Sequence, residues 1–148
     1  MGKKSTRTHL SQMETEWNRF WKNFWSGTKP IIEESWCQTG RISVGLKSQI
    51  TQSINNIIPH HDIFKIGKTG DTYIRSDKRD YRNNYSFMYL LYKSTSPTFV
   101  SKLEEYYIEK YMNSHFEKNQ NKRIKAPGKR MYSYDGYYYL YMVCANKD

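Results

Sequence analysis

Ile63-Phe64-Lys65-Ile66-Gly67-Lys68-Thr69-Gly70-Asp71-Thr72-Tyr73-Ile74-Arg75 is the stretch from which the fold is best read. Its apolar start, Ile63 to Ile66, has strand character and stops at Gly67. Gly70-Asp71 then supplies a turn, and Asp71 or Thr72 caps a helix expected to run to about Arg82. On that helix Ile74 and Tyr81 fall on one side, while Arg75, Lys78, Arg79 and Arg82 cluster on the other. The stretch therefore predicts a strand, a tight turn and a helix with a cationic outer face.

Upstream, Ser53 to Ile58 reads as a strand paired with Ile63 to Gly67 in a β-hairpin, with Pro59-His60-His61-Asp62 as an exposed turn. Arg41 to Leu46 also has strand character, and Ser48 to Ile58 fits helix or strand. A boundary is drawn near residue 50, between an N-terminal extension (1–50) and the main domain (51–148). In the extension Trp17, Phe20, Trp21, Phe24 and Trp25 fall at i, i+3, i+4, i+7 and i+8, one face of an amphipathic helix. Such a stripe packs on its own domain or docks a partner. Ser26-Gly27-Thr28-Lys29-Pro30 ends it.

Downstream, Phe87 to Tyr92 is a buried strand. Ser96-Pro97 opens a helix, with Pro where its missing N–H costs nothing, that continues to about Phe116. Residues 118–130 form a basic loop, and Tyr137 to Val143 is a closing strand entered through an Asp135-Gly136 turn. The order is β-β-α-β-α-β, an α+β fold with a small mixed or antiparallel sheet flanked by helices.

With 148 residues the chain is long enough for a real core, and its net charge of +10 favours a polyanionic partner. The excess is uneven: residues 1–62 hold 8 basic and 5 acidic side chains, residues 63–148 hold 16 and 9. Aromatics are 16% of the chain, 14 of them tyrosines, enough either to fill a core or to leave rings on a surface for stacking. Cys37 and Cys144 have no zinc-ligand spacing. No apolar run spans a membrane, and the start lacks a secretory signal, so an intracellular location (cytoplasmic or nuclear) is expected. The abundance of Lys, Asn, Ile and Tyr fits an AT-rich genome, such as that of a virus or mobile element.

Glu104 sits in the apolar stripe of its helix, among Val100, Leu103, Tyr107, Ile108 and Tyr111, while Glu105 and Glu109 face the polar side. A carboxylate there needs a cation beside it, an arginine or a divalent metal. Arg75 is suited to neutralise a phosphate bidentately. Lys65, near the strand end, is suited to contact a phosphate or to act as a base. His60 and His61, adjacent in a turn, do not face one metal. Gly67-Lys68-Thr69-Gly70 lacks the frame of a nucleotide-binding loop.

Taken together, residues 53–143 resemble the GIY-YIG nuclease superfamily over roughly 90 of 148 residues. Lys65-Ile66-Gly67, with Arg75 eight residues after the glycine, matches the Tyr-x-Gly motif in the branch that reads Lys-Ile-Gly. Leu103-Glu104 matches the leucine-glutamate pair whose glutamate binds the metal. The first-motif tyrosine, due ten residues before Lys65, is Asn55. The aromatic due four residues after the arginine is Arg79, with Tyr81 near. Asn113, Asn119 and Asn121 are candidates for the family's asparagine.

The resemblance implies a metal-dependent DNA endonuclease in which Glu104 holds one Mg²⁺ or Mn²⁺ and Arg75 binds the phosphoryl oxygens. Lys65 would orient or deprotonate the attacking water, with Asn55 and Tyr81 as accessory residues. Lys68, Lys78, Arg79, Arg82, Lys122, Arg123, Lys125, Lys129 and Arg130 would track the backbone of DNA, or of RNA. The alternatives are a non-catalytic nucleic-acid binder on the same fold, and an interaction module using the N-terminal aromatic helix.

Overall fold

The structure, a computed structural model, describes residues 28–122 and 131–146. The aromatic stripe at 17–25 and the cations Arg123, Lys125, Lys129 and Arg130 lie outside the described residues. Strands β1 (Ile31–Glu33), β2 (Ile63–Thr69), β3 (Phe87–Ser94) and β4 (Tyr138–Ala145) form one sheet in the order β1-β3-β4-β2. β1 is parallel to β3, and β4 is antiparallel to both β3 and β2. The helices are α1 (Val44–Ile57), α2 (Thr72–Ser76), α3 (Arg79–Asn84) and α4 (Pro97–Ser114). The mixed sheet and its helices give the expected α+β class.

Each face of the sheet carries its own core. On one, Phe64 and Ile66 of β2 and Leu140 and Met142 of β4 meet α1 and α4. On the other, Tyr141, Val143, Met88 and Leu90 meet Tyr81 of α3 and Tyr85. Tyrosine does much of the filling because its ring is apolar while its hydroxyl can reach the rim. Tyr107 Oη donates to the Lys47 carbonyl at 2.7 Å, and Tyr111 Oη to Asn55 Oδ1 at 2.7 Å. Tyr92, Tyr107, Tyr111 and Tyr141 are all fully buried, whereas Tyr73, Tyr132 and Tyr134 are exposed.

Four expectations are corrected. Ser53 to Ile58 is not a hairpin strand but the end of α1. Leu46, Ile50, Ile54 and Ile57 recur every three or four residues and are buried along one helical stripe. The same periodicity removes the strand expected from Arg41, because the Ser43 hydroxyl accepts the Leu46 N–H at 3.0 Å and starts the helix there. The boundary drawn near residue 50 falls inside α1, whose Leu46 and Ile50 share the core of the downstream elements. Third, residues 58–60 form one 3-10 turn after that helix. His61 is buried, with Nε2 2.8 Å from Tyr89 Oη, and only His60 is exposed.

The fourth correction bears on the site. The cationic helix is two short helices with a break at Asp77 and Lys78. Asp71 Oδ1 accepts the Ile74 N–H at 3.0 Å, opening α2. The Asp77 N–H folds back on the Tyr73 and Ile74 carbonyls, closing the helix after little more than one turn. α3 restarts after an extended Lys78. This break changes the phase, so Arg75 turns inward, Tyr81 is buried and Ile74 is 63% exposed.

β2 is an edge strand, and its free edge is covered. Phe64 N–H donates to the Lys118 carbonyl at 3.0 Å, and Gln120 N–H to the Phe64 carbonyl at 2.7 Å. The Asn121 side chain then mimics one more strand residue, accepting from Ile66 N at 2.9 Å and donating to Ile66 O at 2.8 Å. Such cover satisfies backbone groups that would otherwise invite another chain. It stops at Ile66, just before the residues that form the site.

Candidate active site at the end of strand β2

Alternation along β2 sorts its side chains. Phe64, Ile66 and Lys68 face α4, while Lys65 and Gly67 face α3. On the α4 side, Lys68 Nζ lies 3.6 Å from Glu104 Oε1 and donates to Ser101 Oγ at 2.9 Å. Glu104 is 7% exposed. Burial pushes its carboxyl above the ordinary glutamate value, and the Lys68 and Arg75 charges pull it back down. The cation that the sequence required beside Glu104 is therefore a lysine three residues beyond Lys65.

On the α3 side lies a phenol and guanidinium cluster. Arg75 NH1 donates to Tyr141 Oη at 3.0 Å and to the Lys68 carbonyl at 3.2 Å. The hydroxyls of Tyr81 and Tyr141 share a hydrogen bond. Lys65 Nζ stands 5.7 Å from the centre of the Tyr81 ring. Burial raises the Tyr141 phenol well above its usual value, with Tyr81 adding to the effect and Arg75 opposing it. Tyr141 accepts the Arg75 N–H and so helps to orient the guanidinium.

Two glycines let the backbone come this close. Gly67 is paired with Tyr141 across the β2–β4 ladder, and a Cβ on Gly67 would overlap the phenol. A Cβ on Gly70 would run into the backbone of Tyr132 and Ser133, the segment that feeds β4. Tyr134 N–H donates to the Gly70 carbonyl at 2.9 Å, tying that segment to the turn. Each glycine is a site of close approach, not a flexible hinge.

The expected trio is only partly assembled. Arg75 stands between the two sides, bound to the Lys68 backbone and close enough for its charge to act on Glu104. Lys65 and Glu104 are on opposite faces of β2. Tyr81 joins the cluster. Asn55 does not: it lies on α1 and accepts the Tyr111 hydroxyl. Lys68, expected on the DNA track, also pairs with Glu104.

Among the remaining cations, Arg82 NH1 is 2.6 Å from Asp77 Oδ1, and Lys78, Arg79 and Lys122 are exposed. Asn113 is exposed at the end of α4, while Asn119 and Asn121 serve the β2 edge.

The sequence reading missed the pairing of Lys68 with Glu104, and it missed Ser101 and Tyr141. The first two were within reach, since Lys68 shares the alternation of Phe64 and Ile66 and must meet the helix carrying Glu104. Tyr141 carried no such signal, being one tyrosine of a tyrosine-rich strand.

For a metal, Glu104 supplies one carboxylate; among the described residues no group of three or more His, Cys, Asp or Glu side chains stands together. One carboxylate with water and substrate phosphate is a donor set that Mg²⁺ accepts. Here Glu104 would share its charge between the ion and Lys68. Comparison with family models, with curated proteins and with solved structures finds no match.

Proposed function

We propose that the chain is a phosphodiester-cleaving, metal-dependent DNA endonuclease with its site at the end of β2, as the GIY-YIG resemblance implies. The observation that carries this reading is the meeting, at one strand end, of Arg75 held by the Tyr81–Tyr141 pair with the Lys68–Glu104 pair on the other face. Two cations and one carboxylate suit a phosphate that gains charge in its transition state. The phenol pair holds the guanidinium in place before substrate arrives. This saves ordering cost when the phosphate binds.

In this reading Arg75 binds the non-bridging oxygens of the scissile phosphate, and Lys68 neutralises charge beside it. Lys65 would orient or deprotonate water from the α3 side. Glu104 would hold a divalent ion, which supplies Lewis-acid stabilisation of the leaving oxygen. In this reading Tyr141, paired with Gly67 on β4, would stand in for the tyrosine that the resemblance places on a strand beside the Lys-Ile-Gly strand. β4, near the C-terminal end of the chain, occupies the place where Ser53 to Ile58 had been expected.

A second reading is favoured by the Lys68–Glu104 pair itself, which leaves the carboxylate already neutralised without a metal. On that reading the fold binds nucleic acid and does not cut it. Binding measured in EDTA and in Mg²⁺, with cleavage scored in parallel, separates the two. Metal-dependent product that disappears in Glu104→Gln supports the enzyme. Equal, salt-sensitive binding in both buffers with no product supports the binder.

A further inference from the structure

A pocket of about 470 Å³ opens beside the proposed site, between the 39–41 loop, the end of β3 and the residues that enter β4. That volume is within the range of small-ligand sites. Its lining combines two cations, Arg41 and Lys93, with hydroxyls of Ser94 and Thr95 and the rings of Phe99 and Tyr137. Charged and hydroxyl groups beside aromatic rings match a ligand with an anionic end and a flat apolar end. One cation and one ring are also coupled in space: Lys93 Nζ lies 4.8 Å from the centre of the Tyr137 ring. One ligand unit can touch both.

The position adds to the chemistry. Tyr139 pairs with Lys93 on one side and with Thr69, the last residue of β2, on the other. Phe99 is two residues before Ser101, which receives the Lys68 ammonium. Along α4, Phe99 precedes Glu104 by roughly 7.5 Å of helix axis. Pocket and proposed cleavage site are thus neighbours along one strand path. The first turn of α4, capped by Ser96, adds its positive dipole end near Thr95. Two acids are near: Glu34, whose charge acts on Tyr139, and Asp135, whose carboxyl accepts from Tyr139 Oη at 2.7 Å and is held below its ordinary value first by that bond, with a smaller part from the Lys93 charge.

We propose that this pocket holds one nucleotide of single-stranded DNA, its base against Tyr137 and Phe99 and its phosphate between Arg41 and Lys93. The choice of nucleic acid rests on the phosphodiester reading above. An intact duplex keeps its bases stacked and offers no face to Tyr137, so the pocket selects strands whose bases are free. Tyr132 and Tyr134, 80% and 78% exposed around the Gly70 turn, extend the same preference along the strand.

The test is fluorescence anisotropy of the full chain with a labelled oligothymidylate, a same-length abasic strand and a duplex, in EDTA so that nothing is cut. Tyr137→Leu should weaken oligothymidylate binding at least about fivefold, the low end of one lost base stack, and leave the abasic strand unchanged. Tyr137→Phe should bind as wild type. Lys93→Gln should weaken both single strands and reduce the salt slope by about one. Tyr137 and Lys93 are partly exposed, and a melt of each variant confirms folding.

Tyr137→Leu binding like wild type would overturn the pocket, as would an equal loss on the abasic strand or tighter binding to duplex. Cleavage scored separately in Mg²⁺ keeps the two readings apart. Ring-dependent binding without cleavage sinks the nuclease alone, and cleavage with ring-independent binding sinks the pocket alone.

Discussion

Glu104 shows how one residue can be costly to the fold and useful to the site. Its carboxyl is raised by burial, so the folded state binds its proton more tightly than the unfolded chain does. Stability linked to this group is therefore greatest at low pH and falls as pH rises from the ordinary glutamate value through the raised one. Glu104→Gln should abolish that fall and leave the protein about 1 kcal/mol more stable at pH 7 in urea melts, while removing activity. A variant that is less stable at pH 7 would mean that the Lys68 contact outweighs the burial.

Gly67 is the converse case, a residue with no functional group on which the site depends. Gly67→Ala forces its Cβ against the Tyr141 ring. We expect a loss of about 1–3 kcal/mol in denaturant melts, with activity falling because Arg75 loses its Tyr141 anchor. Wild-type activity in a folded Gly67→Ala protein would show that Tyr141 does not position Arg75.

At the scale of elements, the edge cover of β2 and the break between α2 and α3 fix the geometry. Asn121 makes two hydrogen bonds to the backbone of Ile66. Asn121→Ala should cost about 1–2 kcal/mol and speed hydrogen exchange at the Ile66 amide, leaving amides of β4 protected. Uniform loss of protection would mean that the cover holds up the whole sheet.

These elements also show what the sequence made legible. β2 and α4 were readable because an alternating run and a helical stripe each have one period. Glu104 stood out against that stripe. α1 was misread because Ser53 to Ile58, taken by itself, has the short apolar content of a strand; its period appears only once Leu46 and Ile50 join it. The α2–α3 break was hidden because Asp77-Lys78 contains neither Gly nor Pro, and closure comes from backbone bonds to Tyr73 and Ile74. Without the break, Arg75 and Tyr81 look like residues of opposite faces.

Across the whole molecule, charge and tyrosine act together. The net charge of +10 gives a net positive field, and no helix among the described residues is long and apolar enough to cross a membrane. Lys78 and Lys122 are exposed and carry no role in either core. Replacing both by alanine should lower the slope of log affinity against log salt by about one to two, with melting unchanged. An unchanged slope would remove Lys78 and Lys122 from the proposed DNA path.

The central claim is that the β2 end cleaves phosphodiesters with Arg75 and Glu104. Its most direct test is incubation of supercoiled plasmid and single-stranded DNA with Mg²⁺ or Mn²⁺, comparing wild type with Glu104→Ala and Arg75→Ala. We expect nicked or shortened DNA from wild type, none in EDTA, and at least about a hundredfold less from either variant. Wild type that leaves both substrates intact, or variants that cut as fast as wild type, would contradict the claim.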